Sequence, residues 1–460
     1  MTRFVLGSLF LNCQDQIYSE EYSDFIGNRS LIESKYALDC KQPLGAMFAS
    51  LYLKLSDGYE DGTVYGYYNI PKLFGLQDTG SMESSGILQV RENPDLKLDG
   101  SGVLIGFVDT GIDYAGSIFL KQDGTTRVIA IWDQTIPAES PIRLPELPTT
   151  LENITRTPEG FLYGSEFTHE QLNAAVKMED AYEGVSSRDE NGHGTFLASI
   201  AAGNELTDGS FTGAAPKADI AMVKLKPAKN RLRAYYQIKE DAVAYQENDI
   251  MAGVLYLVSL AKKRQQPLVI CLGLGTNAGS HRGGLPLARM LEGLGSSVGI
   301  TIVAGTGNET SRGHHFEGQI SSESGYEDVE IRVAEGENGF FLELWANEPE
   351  TYSVAIRSPN GEVIPRIYVR PGRIEILNFA LAQTRVELSY RLSVTGTGEF
   401  LALLRFINIT PGVWTVRVYN DLFITGHYHM WLPIESFLRQ DTVFLRPSEF
   451  ITLTSPSDAA

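Results

Sequence analysis

Gly102-Val-Leu-Ile-Gly-Phe-Val-Asp-Thr-Gly-Ile-Asp113 carries a continuous run of small and branched apolar residues into an Asp-Thr-Gly turn. Such a run predicts a strand over Val103–Val108 that is buried on both faces, as in a parallel sheet. Asp109 then stands just past the strand's carboxyl end, where open α/β sheets bind their ligands. Alone, an Asp after an apolar strand is usually a turn or cap residue. The neighbouring Thr110, Gly111 and Asp113 make it a candidate for chemistry.

The rest of 100–309 continues in the same rhythm. Strands are predicted at Lys217–Lys224, Pro267–Leu274 and Ile300–Ala304, and helices from near His193 to Ala202, at Ile250–Arg264 and at Pro286–Leu294. Alternation of this kind signals a parallel sheet with crossover helices. The interval Gln134–Arg188 breaks it with prolines and polar residues and reads as surface loops. Two further stretches carry candidate site residues. Asn191-Gly-His-Gly-Thr-Phe-Leu-Ala-Ser199 sets His193 between two glycines at the start of a helix of small residues, which permits close backbone approach and tight helix–sheet packing. Ile300-Thr-Ile-Val-Ala-Gly-Thr-Gly-Asn-Glu309 ends a strand at Asn308.

Outside this core the pattern changes. Before it, Tyr22–Tyr36 reads as polar and helix-like, Gly45–Leu55 as apolar and Thr63–Ile70 as strand-like, a small α+β unit. The soft stretch Leu76-Gln-Asp-Thr-Gly-Ser-Met-Glu-Ser-Ser-Gly86 that follows suits an exposed linker open to proteolysis. After about 315, short alternating strands are expected at Asp328–Val333, Gly339–Trp345, Tyr352–Arg357, Arg373–Leu377, Arg385–Val394, Phe400–Ile407 and Val413–Tyr419, a spacing that predicts a β-sandwich.

Composition narrows the classes of function. The 460 residues are 43% hydrophobic and 21% charged, ordinary for a globular protein, and the net charge of −19 should repel nucleic acids and anionic membranes. No apolar stretch is long and charge-free enough to span a bilayer. Phe4–Leu11 is too short, and lacks the small-residue cleavage site, for a signal peptide. Cys13, Cys40 and Cys271 are too few and scattered for a disulfide framework or zinc cluster and read as thiols in a reducing compartment. His314–His315 and His427/His429 lack spaced carboxylates or cysteines, so they read as a polar loop and a sheet face. No metal or cofactor is expected.

Asp109, His193 and Asn308, in that chain order and with those flanking residues, resemble the Asp, His and oxyanion-Asn motifs of the subtilase family of subtilisin-like serine proteases. The resemblance implies that Asp109 orients His193, that His193 is the general base and that Asn308 donates to the oxyanion. Cys271, Leu272 and Gly273 resemble the extended segment that lines the primary specificity pocket and pairs with substrate, and Gly305, Thr306 and Gly307 its opposite wall. Within the family the chain looks like the clostridial Csp group, the germination proteases of spores. That likeness implies a prodomain at 1–80, a catalytic domain beginning at 81–314, a jelly-roll insert at 315–445 (Gly412-Val-Trp-Thr-Val-Arg-Val418 resembles its strands) and a return into the catalytic domain at 446–460. The implied partners are the chain's own prodomain and a protein substrate, in the best-known members the precursor of a cortex-lytic enzyme. The family's nucleophile sits in a Gly-Thr-Ser-x-Ala block that does not occur in residues 1–460. Neither Ser311 nor Ser455 is followed by the small-residue helix such a block needs. The expectation is a protease sequence ending before its serine, the alternative a pseudoprotease that binds or senses without turnover.

Overall fold

A computed structural model describes residues 13–36, 40–54, 66–76, 98–144, 154–206, 211–394 and 397–459. At its centre is a six-stranded sheet. Its order is Ile300–Ala304, Leu268–Leu272, Leu104–Asp109, Asp219–Lys224, Val128–Asp133 and Ser165–Thr168. The first five strands run parallel and the last closes one edge antiparallel. Leu104–Asp109 lies in the middle and is buried at every position, as its unbroken apolar run requires. The helix Glu247–Arg264 packs on one face, where Leu257 and Val254 join Leu104 and Val108 in one core. The helix His193–Ala202 packs on the other face, with Leu197 and Ala198 beside Phe107 and Met222.

Several expectations are corrected. Tyr22–Tyr36 is not one helix: Tyr22–Asn28 is a strand paired antiparallel with Phe48–Lys54, and only Arg29–Lys35 is helical. Asn28 marks the change, its side chain accepting from the Leu31 amide at 3.3 Å as a helix cap. Tertiary pairing here overrides local polarity. Tyr67–Asn69 is a 3₁₀ turn, not a strand, and 63–65 lie outside the described residues. Gln134–Arg188 is not only loop. It supplies the edge strand Ser165–Thr168 and the helices His169–Ala175 and Ala181–Gly184, the first opened by a Thr168/Gln171 capping box. The strand expected over Pro267–Leu274 breaks at Gly273, beyond which Leu274–Gly275 joins a different sheet. Cys13 and Cys40 are not free: they form a disulfide with Cα atoms 5.3 Å apart. Cys271 remains a thiol.

Residues 315–444 form two antiparallel sheets, one of six strands and one of five, whose inner faces share a core built around Trp414, Phe406, Leu344 and Tyr428. Alternation is clearest in Thr384–Arg391, where buried and partly exposed positions trade places along the strand. The outer face of the six-stranded sheet is covered over its central strands. Phe341, Trp345, Leu401, Leu403 and Trp431 enter the same core as the central helix Glu247–Arg264. Among the described residues no helix is long and apolar enough to cross a membrane.

Candidate active site

Asp109 ends the central strand and His193 opens the helix that packs on it. His193 Nδ1 lies 2.7 Å from Asp109 Oδ1. Asp109 is buried, and the same oxygen accepts from the Thr110 amide at 2.7 Å, while Oδ2 has no hydrogen-bond partner among the described residues. Burial pushes the Asp109 pKa up, and the hydrogen bond and charge of His193 work against it. A buried carboxylate that accepts from Nδ1 fixes the imidazole's tautomer and turns Nε2 outward as a base.

Glycines make that approach possible. A Cβ on Gly194 would meet the Gly111 carbonyl oxygen at 2.2 Å, and Gly192 adopts φ +90°, where a side chain is strained. A Cβ on Gly273 would meet Leu197 Cδ1 at 2.4 Å and His193 Cε1 at 3.1 Å. Gly273 therefore lies directly against the imidazole, and the segment Cys271–Gly273 comes up beside the Asp–His pair. Cys271 sits within that segment with its thiol pKa pushed up to about 12, mainly by burial, which disfavours the thiolate that a nucleophilic cysteine needs. Gly305 continues the neighbouring strand, its amide donating to the Leu272 carbonyl at 3.0 Å. Thr306, Gly307 and Asn308 follow at the same sheet end, Gly307 with φ +98° and Asn308 exposed. The structure thus brings Asp109, His193 and Gly273 into contact and sets 305–308 one strand further along.

Three features escaped the sequence reading. Asp189 ties the site together: it accepts from Thr110 Oγ1 at 2.7 Å, from the Gly192 amide at 2.8 Å, and from the Thr195 amide and hydroxyl at 2.9 and 2.6 Å. Burial opposes its ionisation, but these donors outweigh burial and hold its carboxyl below the usual value. An Asp four residues before a helix-opening His was the available signal, as a cap. Glu309, buried, holds the loop after Asn308 through His314 Nδ1 at 2.6 Å and the Glu435 amide at 3.1 Å; His314 is a loop residue as expected, but a buried one, while His315 belongs to a strand. Finally, Leu73–Leu76 lies as the middle strand between Leu274–Gly275 and Tyr245–Gln246, antiparallel to both. An extended segment of the N-terminal unit thus pairs with the chain directly after Cys271–Gly273.

Comparison with known proteins gives the family. The model of the subtilase family matches residues 100–338, more than half of the chain. The chain belongs to the subtilase family, whose members are subtilisin-like serine proteases. Within it the chain is similar to the CspB protease of Clostridium perfringens, whose solved structure it matches with a TM-score of 0.67 and 26% identity over 82% of this chain and 70% of that one. No curated protein matches.

Proposed function

We propose that the chain works as a subtilisin-type serine endopeptidase in which Asp109 orients His193, His193 takes the proton of an attacking serine, and Asn308 donates to the oxyanion. The single observation that carries this reading is the 2.7 Å bond from His193 Nδ1 to a buried Asp109, with the imidazole held against Gly273. Cys271–Gly273 and Gly305–Gly307 form the two walls that receive a protein substrate as an added strand. Residues 1–80 act as a prodomain, 81–314 and 446–460 belong to the catalytic domain, and 315–445 is the jelly-roll insert. The pairing of Leu73–Leu76 beside the substrate wall supports the prodomain role, because this segment runs where substrate would pair. The cut that separates prodomain from protease falls in 76–86, of which 77–86 lie outside the described residues. The substrate is a protein of spore germination, a cortex-lytic enzyme precursor. Against the binding-only alternative stands the intact Asp109–His193 pair with its close-packed glycines, which a sensor without turnover would have no need to keep.

The reading needs a serine that residues 1–460 do not place in a nucleophile block, so the 460-residue chain alone should leave a fluorophosphonate probe unbound. Combined with a serine-bearing subtilase segment, or exposed to an active relative, it should gain a new N-terminus within 70–100. Stoichiometric labelling of the chain alone that a His193→Ala change abolishes, or a cut well outside that window, would sink the assignment.

A further inference from the structure

Two neighbouring strands of the sandwich carry a cluster of imidazoles far along the chain from the Asp109–His193 pair. In His427–Trp431 side chains alternate, so His427, His429 and Trp431 share one face. His315–Gln319 runs antiparallel beside it and pairs Glu317 with His429 and His315 with Trp431. Glu317 therefore stands on the same face as both histidines. One donor atom from each of Glu317, His427 and His429 lies within 4.8 Å of the other two, and His427 Nε2 already bonds Glu317 Oε1 at 2.7 Å. The carboxylate that the sequence spacing lacked arrives from the adjacent strand.

Hydrogen bonds behind the cluster orient one of these rings. The Phe450 carbonyl can only accept, so His315 Nδ1 donates to it at 2.6 Å. A neutral His315 then presents Nε2 as an acceptor, and His429 Nδ1, 3.1 Å away, donates. That leaves Nε2 of His429 as the nitrogen able to ligate, the usual arrangement in which a metal-binding imidazole gives its other N–H to a fixed partner. His281 is not a fourth ligand, because both its nitrogens face the carbonyls of Leu453 and Asn277. A cleft of about 230 Å³ beside the cluster, lined by His427, His429, Arg282, Trp345 and Glu399 among others but not by Glu317, has room for several waters at roughly 30 Å³ each.

We propose that Glu317, His427 and His429 form a zinc site, with His315 as the positioning residue that presents His429. Two imidazoles and one carboxylate are a donor set suited to Zn²⁺, which takes nitrogen at about 2.0–2.1 Å and oxygen at about 2.0–2.2 Å and accepts water in a fourth position. Because His315 is bonded to Phe450, and Thr454 a few residues on bonds the Thr306 carbonyl at 3.1 Å, the ion would brace the strand pair against the segment that leads from the sandwich to the sheet end carrying Asn308.

The test uses the full chain, stripped with a chelator and titrated with Zn²⁺ alone by calorimetry. One equivalent should bind, and Glu317→Gln, His427→Ala and His429→Ala should each raise Kd at least tenfold while circular dichroism stays unchanged. His315→Ala, which removes no ligand, should weaken binding about 10–100-fold. Zn²⁺ should raise the melting midpoint of the unaltered chain and not that of His427→Ala. Absence of saturable binding, or an unchanged Kd in the His427→Ala/His429→Ala double variant, would overturn the proposal and leave Glu317–His427 as an ordinary surface ion pair.

Discussion

His193 can serve as a base only while its Nδ1 is held, and Asp109 holds it at 2.7 Å from inside the sheet. In Asp109→Asn the amide nitrogen can donate to Nδ1, which favours the tautomer with its proton on Nε2. With the serine segment supplied, kcat should fall about 10⁴-fold while substrate still binds; a loss under tenfold would remove Asp109 from the mechanism. Gly273→Ala tests the packing, since its methyl would meet Leu197 and the imidazole. It should lower kcat and also lower the thermal midpoint, because the closer clash is with Leu197 in the buried core. These residues were legible because glycines flank them in the sequence and mark close approaches. Asp189 and Glu309 were not. Asp189 announces itself locally only as a cap of the helix that His193 opens; its bond to Thr110 spans 79 residues, and no local pattern reveals that one.

At the scale of elements, the buried parallel strands were the most readable, since continuous apolar runs admit few other fates. The N-terminal strand Tyr22–Asn28 was missed because its polar residues are used inside. Asp24 is buried and paired with Lys229, and it also accepts from Gln246 Nε2 at 2.9 Å and Asn248 Nδ2 at 3.2 Å. Asp24→Ala should cost about 3–5 kcal/mol in denaturant unfolding, as expected when one partner of a buried ion pair is left alone; a cost below about 1 kcal/mol would mean that Lys229 finds water or another acceptor. In the sandwich, Glu350 plays a comparable part for the turn after Asn420, accepting from the amides of Thr425 and Gly426 at 2.8 and 2.7 Å. Burial opposes its charge, yet these donors and the Thr425 hydroxyl hold its pKa at about 2 against an ordinary 4.5. A carboxyl depressed on folding stabilises the protein fully above the unfolded value. That contribution should fade as pH falls from about 4.5 through about 2. Glu350→Gln should flatten the stability profile across that window and leave it unchanged in shape above pH 5; an equally steep acid loss would assign the effect elsewhere.

The whole molecule is joined more tightly than its sequence boundaries suggest. A reading by composition divides the chain into units near 80 and 315, but it could not show that the outer face of one sandwich sheet completes the core under the central sheet. Phe341 and Trp345 read simply as strand residues; only the assembled fold turns them toward Tyr67 and Tyr235. Glu343 is the polar centre of that seam. Its carboxylate accepts from Tyr67 Oη at 2.6 Å in the N-terminal unit, from the Gly279 amide at 3.0 Å beside the parallel sheet, and from Trp345 Nε1 at 2.8 Å in its own strand. One side chain thus satisfies donors from three parts of the protein, and Glu343→Ala would strand all three at about 1–3 kcal/mol each. Such a loss falls on the seam and spares the inner sandwich core around Trp414 and Leu344. The unaltered chain should therefore melt in one calorimetric transition and Glu343→Ala in two, the earlier from the parallel-sheet part with its N-terminal unit and the later from the sandwich. Glu343→Gln, which keeps one acceptor oxygen, should fall between. A single transition at an unchanged midpoint in Glu343→Ala would show that apolar contacts alone couple the parts.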